Sequence, residues 1–163
     1  DLVVRSLFTA SANFHPRFDA DSREYRYRMF FDPIRDPLRE KFLWRAWPDV
    51  DGDALKKNAS IFLGTHDFAA IGSPMKPKGT TVRTVTKAEW KKMPDGEWQF
   101  EVKADAFLYR MVRRLVYVQV SVAQGRCSVE KVQNALSKQG QLLAGLAPAH
   151  GLTLVEVTYG SHD

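Results

Sequence analysis

The sequence is short of several things that catalytic sites commonly use. It has one cysteine, Cys127, so no intrachain disulfide and no cysteine-based zinc site can form within it. Its four histidines, His15, His66, His150 and His162, are scattered, and none has a second His or Cys at ligand spacing. There is no Gly-x-Gly-x-x-Gly and no Walker loop, which removes the familiar phosphate cradles. The longest apolar stretch, Leu115 to Ala123, is too short and too broken to cross a bilayer. Asp1 and Arg5 do not suit the start of a signal peptide. These absences fit a reducing, cytoplasmic setting. There is also no internal repeat and no low-complexity tract.

What is present is an ordinary globular composition. The 163 residues are 44% hydrophobic and 26% charged, enough for one domain with a real core. Lys and Arg number 24 against 19 Asp and Glu, a net charge of +5. The excess is concentrated. Between Pro74 and Arg114 lie ten basic and five acidic residues, and the rest of the chain balances. Such a window is an electrostatic footprint for a phosphate-rich partner, against the plainer reading of a solvated surface. Charge alone does not separate RNA from DNA.

Periodicity then suggests elements. Ser22 to Phe31 carries Tyr25, Tyr27, Met29 and Phe31 at alternate positions, with Arg26 and Arg28 between them, so it reads as a strand with one aromatic and one cationic face. Pro33 and Pro37 break it into a loop. Asp51 can cap a helix to about Leu63, with Leu55, Ala59, Phe62 and Leu63 on one side and Gly64 as the stop. Ile71 to Gly79 reads as a mobile basic loop. Thr80 to Met93 and Glu97 to Ala104 read as strands joined by a hairpin at Pro94-Asp95-Gly96.

Leu108 to Gln124 suits a helix ended by Gly125, and Ser128 can cap another with Val129, Val132, Ala135 and Leu136 inward. Leu152, Leu154, Val155 and Val157 predict a last, mostly buried strand. The expected fold is α+β, with four or so strands in a mostly antiparallel sheet and two or three helices on one face.

Few residues advertise chemistry. His66-Asp67 reads as a local structural pair rather than a dyad, and Cys127 beside Arg126 as an inert thiol. The strand Tyr25-Arg26-Tyr27-Arg28 would suit base stacking beside phosphate contacts, though a half-buried aromatic face explains it as well. Arg110, Arg113 and Arg114 are spaced to share one face of a helix, where an arginine fork can hold a carboxylate; a solvated cationic stripe is the alternative.

Read in order, six segments are similar to the tRNA pseudouridine synthase A (TruA) family. They are Phe14-His15-Pro16-Arg17-Phe18, Tyr25-Arg26-Tyr27, Gly64-Thr65-His66-Asp67-Phe68, Thr81-Val82-Arg83-Thr84-Val85, Ala106-Phe107-Leu108-Tyr109-Arg110-Met111-Val112-Arg113, and Ala147 through Leu154 with Val157-Thr158-Tyr159. The resemblance implies a function: isomerisation of uridine to pseudouridine in the anticodon stem-loop of tRNA, without cofactor or metal. It also implies roles. Tyr25 would stack on the flipped base and take its C5 proton, and Arg113 would pair with a catalytic Asp and keep it ionised. Phe107, Leu108 and Leu152 would lie at the substrate pocket. His15, Arg17, Lys76, Lys78, Arg83 and Arg110 would contact RNA.

One departure matters. The family's Arg-Thr-Asp-x-Gly-Val-His-type segment, which bears the Asp, has no counterpart here, and Gly79 stands where an arginine is frequent. The resemblance is therefore to a C-terminal domain over residues 1–163. It is an RNA-recognition-motif-like half whose sheet would continue into the missing N-terminal domain. The family also implies a homodimer sharing one tRNA. On this reading the chain alone is inactive. A non-catalytic RNA-binding module is the alternative.

Overall fold

The structure, a computed structural model, describes residues 2–48, 50–137 and 141–160; His162 lies outside them. Residues 2–19 form neither helix nor strand. The first strand, β1 (Ala20–Phe30), is the hub of a six-stranded sheet. It is followed by β2 (Trp44–Arg45), α1 (Gly52–Ala59), β3 (Gly64–Asp67), β4 (Val82–Lys92), β5 (Trp98–Ala104), α2 (Met111–Ala123), α3 (Val129–Leu136) and β6 (Leu152–Tyr159). The sheet order is β2-β1-β5-β4-β3. β5 pairs with one edge of β1. The other edge is divided, with β6 opposite Ala20 to Tyr27 and β2 opposite Met29 and Phe30. All pairings are antiparallel except β1 with β2.

Local chemistry explains the boundaries. Asp51 caps α1 by accepting from the N–H groups of Asp53 and Ala54, and Ser128 caps α3 by accepting from Lys131 N–H. The β4–β5 hairpin turns where Gly96 takes a φ of 80° and its N–H bonds Met93 O at 3.1 Å. Gly125 takes a φ of 70° just beyond α2.

The two faces of the sheet do different work. On the face under the helices, Tyr27, Met29, Phe100, Val102, Trp90 and Ala88 join Leu55, Met111, Leu115 and Val118 in one core. On the opposite face, residues of β1, β4, β5 and β6 form an ion-pair grid. Arg26 bonds Glu101 at 2.8 Å and Arg28 bonds Glu97 at 2.7 Å. Lys87 reaches Glu24 and Glu101 at 2.8 and 2.9 Å, Lys91 reaches Glu101 at 2.7 Å, and Lys103 reaches Glu156 at 2.9 Å. Burial alone would push the Glu101 carboxyl up. The hydrogen bonds from Lys91, Lys87 and Arg26 outweigh it and hold its pKa at about 2. The cations alternating along β1 are thus neutralised by acids on neighbouring strands.

Four expectations need correction. The six strands exceed the four or so expected, because β2 is two residues long and β3 four. Leu63 is exposed, since the α1 helix ends at Ala59 and residues 60–62 tighten into a 3₁₀ turn. β6 is not mostly buried: Leu154 and Val155 are 49% and 45% exposed, because this edge strand has β1 on one side only. α2 begins at Met111 rather than Leu108, and Arg110 caps it with a φ of 60°.

Candidate active site

The site forms where β1, the start of α2 and the approach to β6 meet. Tyr25 and Tyr27 project from the same face of β1, about 7 Å apart along the strand. Their surroundings differ. Tyr27 is fully buried, and its hydroxyl donates to Pro148 O at 2.8 Å. Burial pushes its pKa far above that of an ordinary tyrosine, with the positive charge of Arg113 a smaller opposing effect. Tyr25 is only half-buried. Its ring stands edge-on to Phe107 at 5.1 Å between centroids, and its hydroxyl makes no hydrogen bond to the described residues.

The segment from Ala147 to Gly151 ties the site together. Arg113 Nε donates to Ala147 O at 2.6 Å, and Ala147 N–H returns a bond to Arg113 O at 3.3 Å. The next carbonyl, Pro148 O, takes Tyr27. A β-carbon at Gly151 would stand 2.7 Å from Arg28 O and 2.9 Å from the Tyr27 ring, so only glycine lets the turn pass this close. Arg113 is therefore aimed from the first turn of α2 at the side of β1 that carries both tyrosines. No carboxylate among the described residues pairs with it.

The three arginines at the start of α2 do not share a face. Arg110 lies outside the helix and stacks over the Tyr109 ring, 4.8 Å from its centroid. Arg114 turns away to Gly145 O and Leu142 O, at 2.7 and 3.4 Å. Burial pulls the Arg114 pKa down, and it too has no acid partner among the described residues. Among the described residues the three are cations without anions, unlike the paired residues of the sheet grid.

The other expected site residues are dispersed. Leu152 is half-buried against the core and pairs with Tyr27 across β1 and β6. Leu108 is buried, 4% exposed, beneath the loop that presents Phe107. His15 is exposed; its Nδ1 accepts from the N–H groups of Arg17 and Phe18. Its segment is anchored by Tyr159, whose hydroxyl donates to Pro16 O at 2.8 Å. Arg17 holds Arg23 through its carbonyl. Lys76 and Lys78 are exposed on the loop before β4. Arg83 folds back onto its own strand, donating to Thr80 O and Val82 O.

His66 Nε2 donates to Leu63 O at 2.7 Å. Asp67 accepts from Ala69 N–H and the Thr81 hydroxyl. Cys127 is buried. No group of three metal-ligating side chains gathers among the described residues, and none of their helices is long and apolar enough to cross a membrane. The Ala147–Pro148 turn escaped sequence reasoning as an organiser of the site, because its contribution is two backbone carbonyls.

A family model described as tRNA pseudouridine synthase matches residues 59–160. The chain belongs to the TruA family of tRNA pseudouridine synthases. It is 33% identical over 162 residues to tRNA pseudouridine synthase A 1 of Bacillus cereus, covering 99% of this chain and 65% of that protein. It is 36% identical over 162 residues to tRNA pseudouridine synthase A of a Geobacter species, covering 98% and 65%. With tRNA pseudouridine synthase A 1 of Desulfotalea psychrophila it shares 36% over 166 residues, covering 97% and 64%. The chain thus spans about 65% of the length of these TruA relatives.

Proposed function

We propose that this chain is the C-terminal part of an enzyme that isomerises uridine to pseudouridine in the anticodon stem-loop of tRNA. In the reaction the bond from N1 of the base to C1′ of the sugar breaks, and a bond from C5 to C1′ forms. The proton leaves C5 and N1 gains one, so the atoms balance without a cofactor. One observation supports this reading above the others. Consecutive carbonyls at Ala147 and Pro148 bind Arg113 and Tyr27, which brings a guanidinium with no carboxylate partner among the described residues to the face of β1 that bears Tyr25.

In this reading Tyr25 stacks on the extruded base, and its phenolic oxygen takes the C5 proton as it gives up its own. Tyr27 is unsuited to that task, being buried, neutral and already bonded to Pro148. Arg113 pairs with an Asp supplied from outside this chain and keeps it ionised. The exposed edge at Leu154 and Val155 suits the sheet's continuation into the domain that carries the Asp. The working enzyme is a cytoplasmic homodimer whose subunits share one tRNA. The chain by itself is inactive.

The test is Tyr25→Phe in the complete protein. The phenyl ring keeps the stacking, so tRNA affinity stays within about twofold while pseudouridine formation stops. Normal turnover in that variant removes Tyr25 from the chemistry.

A further inference from the structure

We propose that the groove at the start of α2 is a stacking subsite for a nucleotide flanking the reacting uridine, with Tyr109 as its platform and Arg110 and Arg114 as its phosphate contacts. The proposal rests on the reading of this chain as part of an RNA-modifying enzyme.

The groove has a volume of about 420 Å³ and is open to solvent, with Ile71, Gly72, Ser73, Tyr109, Arg110 and Arg114 on its walls. Tyr109 is 53% exposed. It is an aromatic ring set in water beside a core that buries Tyr27 and Phe100 completely. Its backbone is pinned: Tyr109 N–H donates to Ser73 O at 2.9 Å, and the two residues form an isolated bridge. Gly72 closes the packing behind it, because a β-carbon there would lie 2.8 Å from Leu108 Cβ and 3.1 Å from Tyr109 O. The backbone that carries the ring is therefore held in place before any ligand arrives, which lowers the cost of binding.

Charge identifies the ligand. The cations of the sheet grid each have an acid partner, whereas Arg110 and Arg114 have none among the described residues. Arg110 stacks on Tyr109, so ring and guanidinium form one surface. An aromatic plane with two unneutralised arginines matches a base and its phosphate. An open groove suits a strand passing through rather than a free nucleotide. Position identifies the nucleotide. Phe107, which contacts Tyr25, is two residues from Tyr109, a span of at most about 7 Å. This short backbone link, added to the 5.1 Å between the Tyr25 and Phe107 ring centroids, sets Tyr109 a few nucleotide rises from Tyr25. A strand whose uridine reaches Tyr25 thus offers a neighbour to Tyr109. Stacking is tolerant of base identity, so the subsite adds affinity without choosing sequence.

The experiment uses the complete protein and unmodified tRNA transcript. Tyr109→Ala is expected to weaken tRNA binding by about 5- to 150-fold, and Tyr109→Phe by no more than about twofold. Arg110→Gln lowers the slope of log K against log[salt] by about 0.7. Tyr109→Leu keeps apolar bulk without a π-face. It is measured alongside, with thermal melts, so that a folding defect in the alanine variant does not hide the result.

An abasic nucleotide walked through the anticodon stem-loop completes the test. At one position it should weaken binding to the wild type and have no effect on Tyr109→Leu. Wild-type affinity in folded Tyr109→Ala and Tyr109→Leu, or the same abasic penalties in both proteins at every position, overturns the subsite. If the wild type makes no pseudouridine but the coupling to Tyr109 appears, the subsite stands and the catalytic reading falls. If pseudouridine forms normally and Tyr109 has no effect, the reverse holds.

Discussion

Neutralising Glu101 should reveal how much of the fold depends on the ion-pair grid. Glu101 is 6% exposed and receives Arg26 at 2.8 Å, Lys87 at 2.9 Å and Lys91 at 2.7 Å. Its pKa of about 2 lies below the ordinary value of 4.5. The sign follows from linkage. A depressed carboxyl pKa stabilises the fold above pH 4.5, and that stability is lost as the pH falls from 4.5 toward 2. A shift of that size corresponds to about 3 kcal/mol at neutral pH. Its three cations are a third or more exposed, and solvent screening reduces this to about 2 kcal/mol.

Glu101→Gln should therefore lose about 2 kcal/mol in chemical denaturation at pH 7. The difference from wild type should shrink as the pH falls, until the two curves meet near pH 2. Curves that stay parallel from pH 7 to 2 would show that the carboxylate's charge contributes nothing, and that only its shape matters.

Other outcomes follow from the same geometry. Lys91→Gln should leave the salt dependence of tRNA binding unchanged, because Lys91 is paired with Glu101 and Glu89, whereas Lys76→Gln should lower the slope by about 0.7 to 0.9; equal slopes would show that the grid also contacts RNA. Arg113→Leu in the complete protein should slow single-turnover pseudouridine formation by about 100-fold or more, the scale of a broken buried pair. An unchanged rate would reduce Arg113 to its tie with Ala147. Tyr27→Phe should cost about 1 kcal/mol by removing the bond to Pro148, a fall of about 2–4 °C in Tm. The raised Tyr27 pKa makes its neutral form stabilising below about pH 10, with that contribution lost as the pH rises further; Tyr27→Phe should remove this component of alkaline unfolding.

The parts legible in the sequence were those written in local signals. Alternation marked β1, Asp95-Gly96 marked the hairpin, and Asp51 and Ser128 marked two helix starts. The parts that were not legible depend on distant partners. The arginines of β1 look like an RNA-binding face until Glu101 arrives from β5 and Glu97 from the residue just before it, about 70 residues away in sequence. The arginine spacing at 110, 113 and 114 looks helical, but the Ser73 bridge to Tyr109 holds the chain in another conformation and delays the helix to Met111. β6 reads as buried from its Leu and Val content, yet it has a neighbour on only one side. Within the proposed site, Tyr25 and Arg113 are the residues that the motifs single out. The turn at Ala147–Pro148 that joins Arg113 to Tyr27 acts through carbonyls that any sequence carries.

The central claim is that this chain supplies Tyr25 and Arg113 to a site completed by an Asp from elsewhere. Tritium release from tRNA carrying C5-tritiated uridine tests it most directly, with the chain alone beside the complete protein. Release by the complete protein and none by the chain, with tRNA bound by both, is the predicted result. Release by the chain alone would contradict it.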